Sequence, residues 1–133
     1  MNDAQIYAWI FLSVGETPSS LQDIIAMADG INHAIPSQKE LQTSLGWLSH
    51  HDLVRKDGKK YTLTNTGVEL RRRVSAKTMM KTWDNTTDEL SRFTGSANPD
   101  DDVTRQDVSK AYQGYKKWFW QEFRKLREKD AQP

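Results

Sequence analysis

The chain of 133 residues contains no cysteine, and this absence removes several classes of protein at once. A protein without thiols has no disulfide bridge, no cysteine nucleophile and no zinc site built on thiolates. A cysteine-free composition is also compatible with a reducing compartment. We therefore expect a cytoplasmic protein.

Long apolar runs are missing as well. The longest strongly apolar run, 6–12, is far shorter than the roughly 20 residues that a membrane-spanning helix needs. It follows Asp3 and no basic residue precedes it, so it lacks the charge pattern of a secretory signal. We expect no membrane partner.

No catalytic motif is visible either. The chain has no G-x-S-x-G nucleophile turn, no glycine-rich phosphate loop and no H-E-x-x-H helix. His50 and His51 are adjacent and so point about 100° apart around a helix, which prevents them from gripping one metal ion together. With His33 remote from both, we predict no metal site, no cofactor and no enzymatic activity.

A well-marked helix over 37–50 is the most informative feature that the sequence does contain. Ser37 and Glu40 have the spacing of a capping box, in which each side chain satisfies the other residue's backbone N–H at the helix start. Leu41, Leu45 and Leu48 recur on a 3.6-residue period and form one apolar stripe. This pattern predicts a helix with one buried face and one free face.

A hairpin over 53–63 follows directly. Two short apolar runs flank Asp57-Gly58, the dipeptide that best supplies the positive φ angles of a two-residue hairpin turn. The sequence therefore predicts two short antiparallel strands. Basic side chains surround the tip of this hairpin, at Arg55, Lys56, Lys59 and Lys60.

This order of helix and hairpin resembles the winged helix-turn-helix family, in particular small bacterial regulators of the MarR, PadR and ArsR kind. The segment 61–67 looks like a second wing strand that runs into the "LT-x-x-G" helix start of those proteins. The resemblance covers roughly residues 5–75 and implies a mainly α fold with a small β-hairpin wing. It rests on five apolar positions, Leu41, Leu45, Leu48, Leu53 and Val54.

We expect a winged-helix domain over 1–75 and a C-terminal helical extension over 76–133. A first helix over 4–14 leaves almost no polar face, which is typical of a helix that is buried on most sides. We expect a partner chain or the C-terminal helix to cover the side that the domain leaves open. A second helix is predicted over 21–29, ahead of the helix at 37–50.

The second half of the chain is predicted to contain two further helices. One starts at Thr64 and runs to Thr82 or as far as Phe93, and the segment 94–102 has the composition of a linker. A last helix over 104–129 carries an apolar stripe, made of Val108, Ala111, Tyr112, Tyr115, Trp118, Phe119 and Leu126.

The aromatic residues at 118–120 could stack on the bases of single-stranded nucleic acid. Their helical periodicity favours the other interpretation, a packing or dimerisation surface. We expect a homodimer through helices 4–14 and 104–129.

Charge is strongly zoned, although the net charge is only +1. Residues 1–54 carry one Lys against six acidic residues, whereas residues 55–81 carry nine Lys and Arg against two acidic residues. Phosphate contacts supply most of the non-specific affinity for nucleic acid. Residues 110–133 are basic as well, with seven Lys and Arg against three acidic residues. We therefore expect such a partner to be drawn to the hairpin, the fourth helix and the C-terminal helix, although a solvated helix face explains the run at 71–73 equally well.

The resemblance implies a transcriptional regulator whose helix 37–50 enters the major groove of double-stranded DNA. Polar groups near the helix start would contact base edges or phosphates, namely Ser37, Gln38, Lys39, Gln42 and Thr43. The hairpin would hold the flanking backbone through Arg55, Lys56, Lys59 and Lys60. In a dimer, two such helices would address half-sites about 34 Å apart.

The alternative is a winged-helix module that binds another protein and does not bind DNA. The helix over 37–50 offers one Lys, one Glu and no Arg, although Arg is the usual partner of guanine in the major groove. Trp47 is expected to be exposed on this helix. An apolar patch around Trp47 would favour a protein partner, and one continuous positive face would favour DNA.

Overall fold

A computed structural model of the chain describes residues 1–93 and 103–131, with side chains as far as residue 128. These residues form a mainly helical fold with one small two-stranded antiparallel sheet. The predicted linker over 94–102 lies outside them. The elements are α1 (Asp3–Ser13), α2 (Leu21–Asn32), α3 (Gln38–His50), β1 (Val54–Asp57), β2 (Lys60–Leu63), α4 (Asn65–Val74), α5 (Met79–Leu90) and α6 (Arg105–Ala131). Within the described ranges, no helix is both long and apolar enough to cross a membrane.

Capping boxes fix the starts of the first three helices. Asn2, Ser20 and Ser37 each accept a hydrogen bond from the backbone N–H three residues on, and the side chain of that residue accepts one in return. The capping box predicted for Ser37 and Glu40 is confirmed. The N–H of Glu40 donates to the hydroxyl of Ser37 at 3.1 Å, and the N–H of Ser37 donates to the carboxylate of Glu40 at 2.9 Å. α2 runs beyond its predicted end and closes at His33, whose φ of 53° is left-handed.

The hairpin forms as predicted, with Val54 of β1 opposite Leu63 of β2. The turn is shifted by one position, because the two loop residues are Gly58 and Lys59 and not Asp57 and Gly58. Gly58 has a φ of 63° at the first loop position, which is where a type II′ turn favours glycine. The two-stranded hairpin is therefore confirmed, but the expected turn dipeptide is wrong, and Leu53 and Lys59 lie just outside the strands while Asp57 ends β1.

The loop before α2 forms backbone hydrogen bonds with β2, on the edge that faces away from β1. Ser19 donates its N–H to the carbonyl of Tyr61 at 2.7 Å and accepts the N–H of Tyr61 at 2.9 Å. The N–H of Leu63 donates to the carbonyl of Gly15 at 3.0 Å. These bonds attach β2 to the loop that leads into α2.

α1 is the central helix, and it packs against α2, α3 and α5. Residues 8–13 are all buried. Trp9 donates its indole N–H to the carbonyl of Ala28 in α2 at 2.9 Å, and Trp83 of α5 donates to the carbonyl of Gln5 at 2.9 Å. This corrects the expectation for helix 4–14: α5 of the same chain covers its second side, so burying α1 needs no partner chain.

The fourth helix does not continue to Thr82 or beyond, which corrects the second expectation. α4 ends at Val74, Ser75 is extended, and a new helix begins after Thr78. The side chain of Thr78 caps α5, while the hydroxyl of Thr82 accepts the N–H of Ala76 at 2.9 Å. Hydrogen bonds between threonine side chains and nearby backbone N–H groups compete with a continuous helix here. A prediction based on the spacing of apolar residues does not detect such bonds.

Trp47 is buried, which corrects the expectation that it is exposed on α3. Its side chain is 6% exposed, and its ring stacks on Tyr7 of α1 with centroids 4.5 Å apart. His51 and Phe93 pack against the same ring, with ring centroids 4.2 and 5.7 Å from that of Trp47. Phe93 follows α5 in the sequence, so the residue that encloses Trp47 comes from a segment 46 positions away.

α6 divides into a docked half and an exposed half. Val108 and Tyr115 are buried, and Ala111 and Tyr112 pack against the core, so these four members of the predicted stripe contact the fold. The other half carries large apolar side chains that are 43–62% exposed. We call this set the α6 apolar surface, and it comprises Trp118, Phe119, Trp120, Phe123 and Leu126.

Tyr115 fastens α6 to α2. Its hydroxyl donates a hydrogen bond to the carboxylate of Asp29 at 2.7 Å. Burial, and after it the hydrogen bond and negative charge of Asp29, raises the pKa of Tyr115 to about 12. The phenol therefore stays protonated at neutral pH and remains a donor.

Candidate nucleic-acid interface

α3 has one buried face and one open face, as its apolar stripe predicts. The buried residues are Leu41, Ser44, Leu45, Trp47 and Leu48. Ser37 and Lys39 are exposed at the helix start, and Thr43 is partly buried on the open side. The hydroxyl of Ser37 serves the cap, so Lys39 is the most accessible polar side chain of the predicted contact set.

Gln38 and Gln42 are already engaged within the chain. The amide of Gln38 donates to the carbonyl of Val103 and to the side-chain oxygen of Gln42, both at 3.3 Å. Val103 is fully buried and lies two positions before the first residue of α6. Two of the five predicted contact residues on α3 therefore lie beside the segment that enters α6, a contact that bridges 65 positions and has no local sequence signal.

The structure separates the four hairpin cations that the sequence grouped together. Lys56 and Lys59 line one cleft beside the start of α2, whereas Arg55 lines another cavity at the start of α4. Alternation of side chains along β1 places Arg55 and Lys56 on opposite faces of the strand. Lys60 is exposed at the start of β2. Two of the four predicted residues thus converge on one place.

The cleft between the hairpin tip, the start of α2 and the first turns of α6 has a volume of about 430 Å³, and we call it the hairpin cleft. Lys56 is held there with its ammonium group 5.4 Å from the ring centroid of Tyr61. α6 contributes Lys110 and Asp107 to the same lining. Among the described lining residues, the charged groups are three lysines and one aspartate.

Lys110 and Asp107 were not identified from the sequence. The basic character of 110–133 pointed to the last helix as a whole, but no spacing linked Lys110 to a hairpin some 50 positions earlier. Their placement depends on how α6 docks on α2. That docking is set by buried residues such as Tyr115 and not by the charges themselves.

The basic run 71–73 belongs to a different part of the surface. Arg71 donates to the hydroxyl of Ser75 at 2.7 Å, and Arg73 forms an ion pair with Glu89 of α5 at 3.4 Å. Arg71 and Arg72 line a cavity with the loop between α1 and α2. These contacts favour a structural role for the run over a phosphate clamp.

The described histidines have structural surroundings. His51 packs against Trp47 and Phe93 at the end of the aromatic cluster. In the part of the chain that the structure describes, no group of three or more His, Asp or Glu residues is arranged to hold a metal ion.

Comparison with known proteins adds no assignment. No protein-family model, curated protein or solved structure matches this chain.

Proposed function

We propose that the protein is a winged-helix protein that binds double-stranded DNA and acts as a transcriptional regulator in the cytoplasm. α3 would enter the major groove with Lys39 and Thr43 on its open side, and the hairpin would hold the flanking backbone. The order of three helices followed by a basic hairpin is the order that the family resemblance implies. Fold alone does not fix an activity, so the proposal depends on the surface charges.

One observation carries the proposal: the start of α3 and the basic hairpin flank the same short segment. Gln38 contacts Val103, and Lys56 and Lys59 share their cleft with Lys110. Lys110 lies seven positions after Val103, and residues 105–110 of that stretch are helical, with a rise of about 1.5 Å per residue. This short spacing supports a single DNA-binding face that combines the start of α3 with the hairpin.

The α6 apolar surface supports a dimeric form of this protein. Exposed apolar patches of this kind mark interaction sites in soluble proteins. Because α1 is covered within the chain, the proposed homodimer interface is restricted to the second half of α6. Two copies would then present two α3 helices to half-sites about 34 Å apart.

The alternative remains a winged-helix module that binds a protein partner. Its support is the low charge of α3, where Lys39 is the only Lys or Arg. The apolar patch that would have favoured it is missing from α3, because Trp47 is buried. The basic hairpin is unexplained by this alternative, and we therefore prefer DNA.

Titration of duplex DNA of random sequence at several salt concentrations, followed by fluorescence anisotropy, tests the proposal. We expect log K to fall linearly with log salt, as counterion release requires. Lys59→Ala combined with Lys60→Ala should weaken binding on all sequences and reduce the salt slope by about 2, since two phosphate contacts are lost.

Lys77→Ala combined with Lys81→Ala is the matched control, because it removes the same charge from exposed positions around the start of α5. We expect the control to bind DNA as the unmodified protein does. Absence of DNA binding at low salt would contradict the proposal and favour the protein-binding module.

A further inference from the structure

The hairpin cleft combines residues from three elements that are distant in sequence. The hairpin supplies Lys56 and Lys59, α2 supplies Gln22, and α6 supplies Lys110 and Asp107. At least part of this arrangement is fixed by packing, because Tyr115 and Asp29 join α6 to α2 and Ser19 joins the hairpin to α2. The cleft is therefore built into the fold and does not depend on the position of one mobile side chain.

The electrostatics of the cleft favour an anion. Among the described residues that line the cleft, three lysines and one aspartate carry charge, so positive groups predominate there. Concave surfaces lined by one sign of charge concentrate the field and raise the local concentration of counterions. Lysine binds phosphate as a point charge without requiring a fixed hydrogen-bond geometry, so a cleft of this kind suits a phosphate group.

Two features prepare the cleft for that ligand. The ring of Tyr61 holds the ammonium group of Lys56 at 5.4 Å, which reduces the conformational freedom that binding would otherwise have to remove. Gly58 at the tip has no side chain to close the entrance, and its φ of 63° disfavours any other residue there.

We propose that the hairpin cleft is a phosphate-binding site in which Lys110 of α6 acts together with Lys56 and Lys59. The identity of the ligand rests on the proposed function: this phosphate belongs to the backbone of the bound DNA. The C-terminal helix then takes part directly in DNA binding, and Asp107 opposes it by repelling the same phosphate.

The test compares three single variants in the full chain. Lys110→Gln should weaken binding to random duplex DNA about three- to tenfold at low salt and reduce the salt slope by about 0.9, since one phosphate contact is lost. Asp107→Asn should tighten binding by about threefold, because it removes a like charge close to the phosphate. Lys116→Gln is the matched control: it removes the same charge from an exposed position on the same helix and should leave affinity unchanged.

A second titration, with inorganic pyrophosphate followed by NMR chemical shifts, separates the two possible sources of the phosphate. If Lys59→Ala with Lys60→Ala weakens DNA binding while Lys110→Gln does not, the cleft proposal is overturned and the proposed function stands. If DNA does not bind but pyrophosphate binds and is lost in Lys110→Gln, the cleft is a site for a small phosphorylated ligand and the proposed function is overturned. Binding of neither ligand, or equal losses in Lys110→Gln and Lys116→Gln, would overturn the cleft proposal.

Discussion

At the scale of single residues, Gly67 occupies a position where the first turn of α4 passes the backbone of Leu53. A Cβ atom built on Gly67 would overlap the carbonyl oxygen of Leu53, and that oxygen already accepts the N–H of Thr64 at 3.1 Å. The clash is with backbone and not with a flexible side chain. The last position of the "LT-x-x-G" segment is thus glycine because two backbones meet there.

We predict that Gly67→Ala lowers the free energy of unfolding by about 1–3 kcal/mol, the usual cost of forcing extra atoms into a packed site. Gly30→Ala is the matched control, since Gly30 lies in α2 and a Cβ there meets nothing within 4 Å. The control should raise stability by roughly 0.5–1 kcal/mol through better helix propensity. Urea denaturation measures both, and equal effects from the two substitutions would contradict the close approach.

Tyr115 gives the docking of α6 a dependence on pH. Its pKa is raised from 10.0 to about 12 in the folded protein, so folding favours the neutral phenol. The stabilisation is fully present below pH 10.0 and is lost as pH rises towards 12, because the unfolded chain releases this proton first.

We therefore predict that stability falls between pH 10 and about 12, and that Tyr115→Phe reduces this fall. Tyr7, whose pKa is raised mainly by burial and secondly by Asp3, is present in both proteins and cancels in the comparison. Thermal unfolding over this pH range makes the measurement. Identical alkaline losses in the two proteins would contradict the assigned role of the Tyr115–Asp29 hydrogen bond.

At the scale of elements, the α6 apolar surface is the feature that a second copy of the chain would cover. We predict that the protein is dimeric in solution and that Phe119→Ser combined with Phe123→Ser makes it monomeric, because it removes apolar area from the interface. Gln121→Ser on the same helix is the control and should remain dimeric. Sedimentation equilibrium distinguishes these states, and a monomeric unmodified protein would contradict the interface.

Elements whose signals are local could be predicted from the sequence. α3 and the hairpin form where they were expected. Their signals are local, because the capping box at Ser37, the leucine stripe and the glycine of the hairpin each depend only on residues a few positions apart. The break between α4 and α5 was missed because it depends on threonine side chains that bond to nearby backbone. The burial of Trp47 was missed because Tyr7 reaches it from α1 and Phe93 reaches it from the segment that follows α5.

At the scale of the whole molecule, the charges that the sequence identified are redistributed by the topology. The basic hairpin was predicted, yet only the docking of α6 reveals that Lys56 and Lys59 line the same cleft as Lys110, while Arg55 lines a cavity at the start of α4. Likewise the engagement of Gln38 by Val103 depends on the path of the chain into α6. The sequence therefore predicts most of the residues of the candidate interface but not how the fold arranges them.

The central claim is that the open side of α3 and the basic hairpin form one DNA-binding face. Chemical-shift mapping of the ¹⁵N-labelled protein with a duplex of random sequence tests this claim most directly. The account predicts shifts of the backbone amides of Lys39, Gln42 and Thr43, and of those in the hairpin, that grow together as DNA is added. Shifts confined to 116–128, with α3 and the hairpin unchanged, would contradict it.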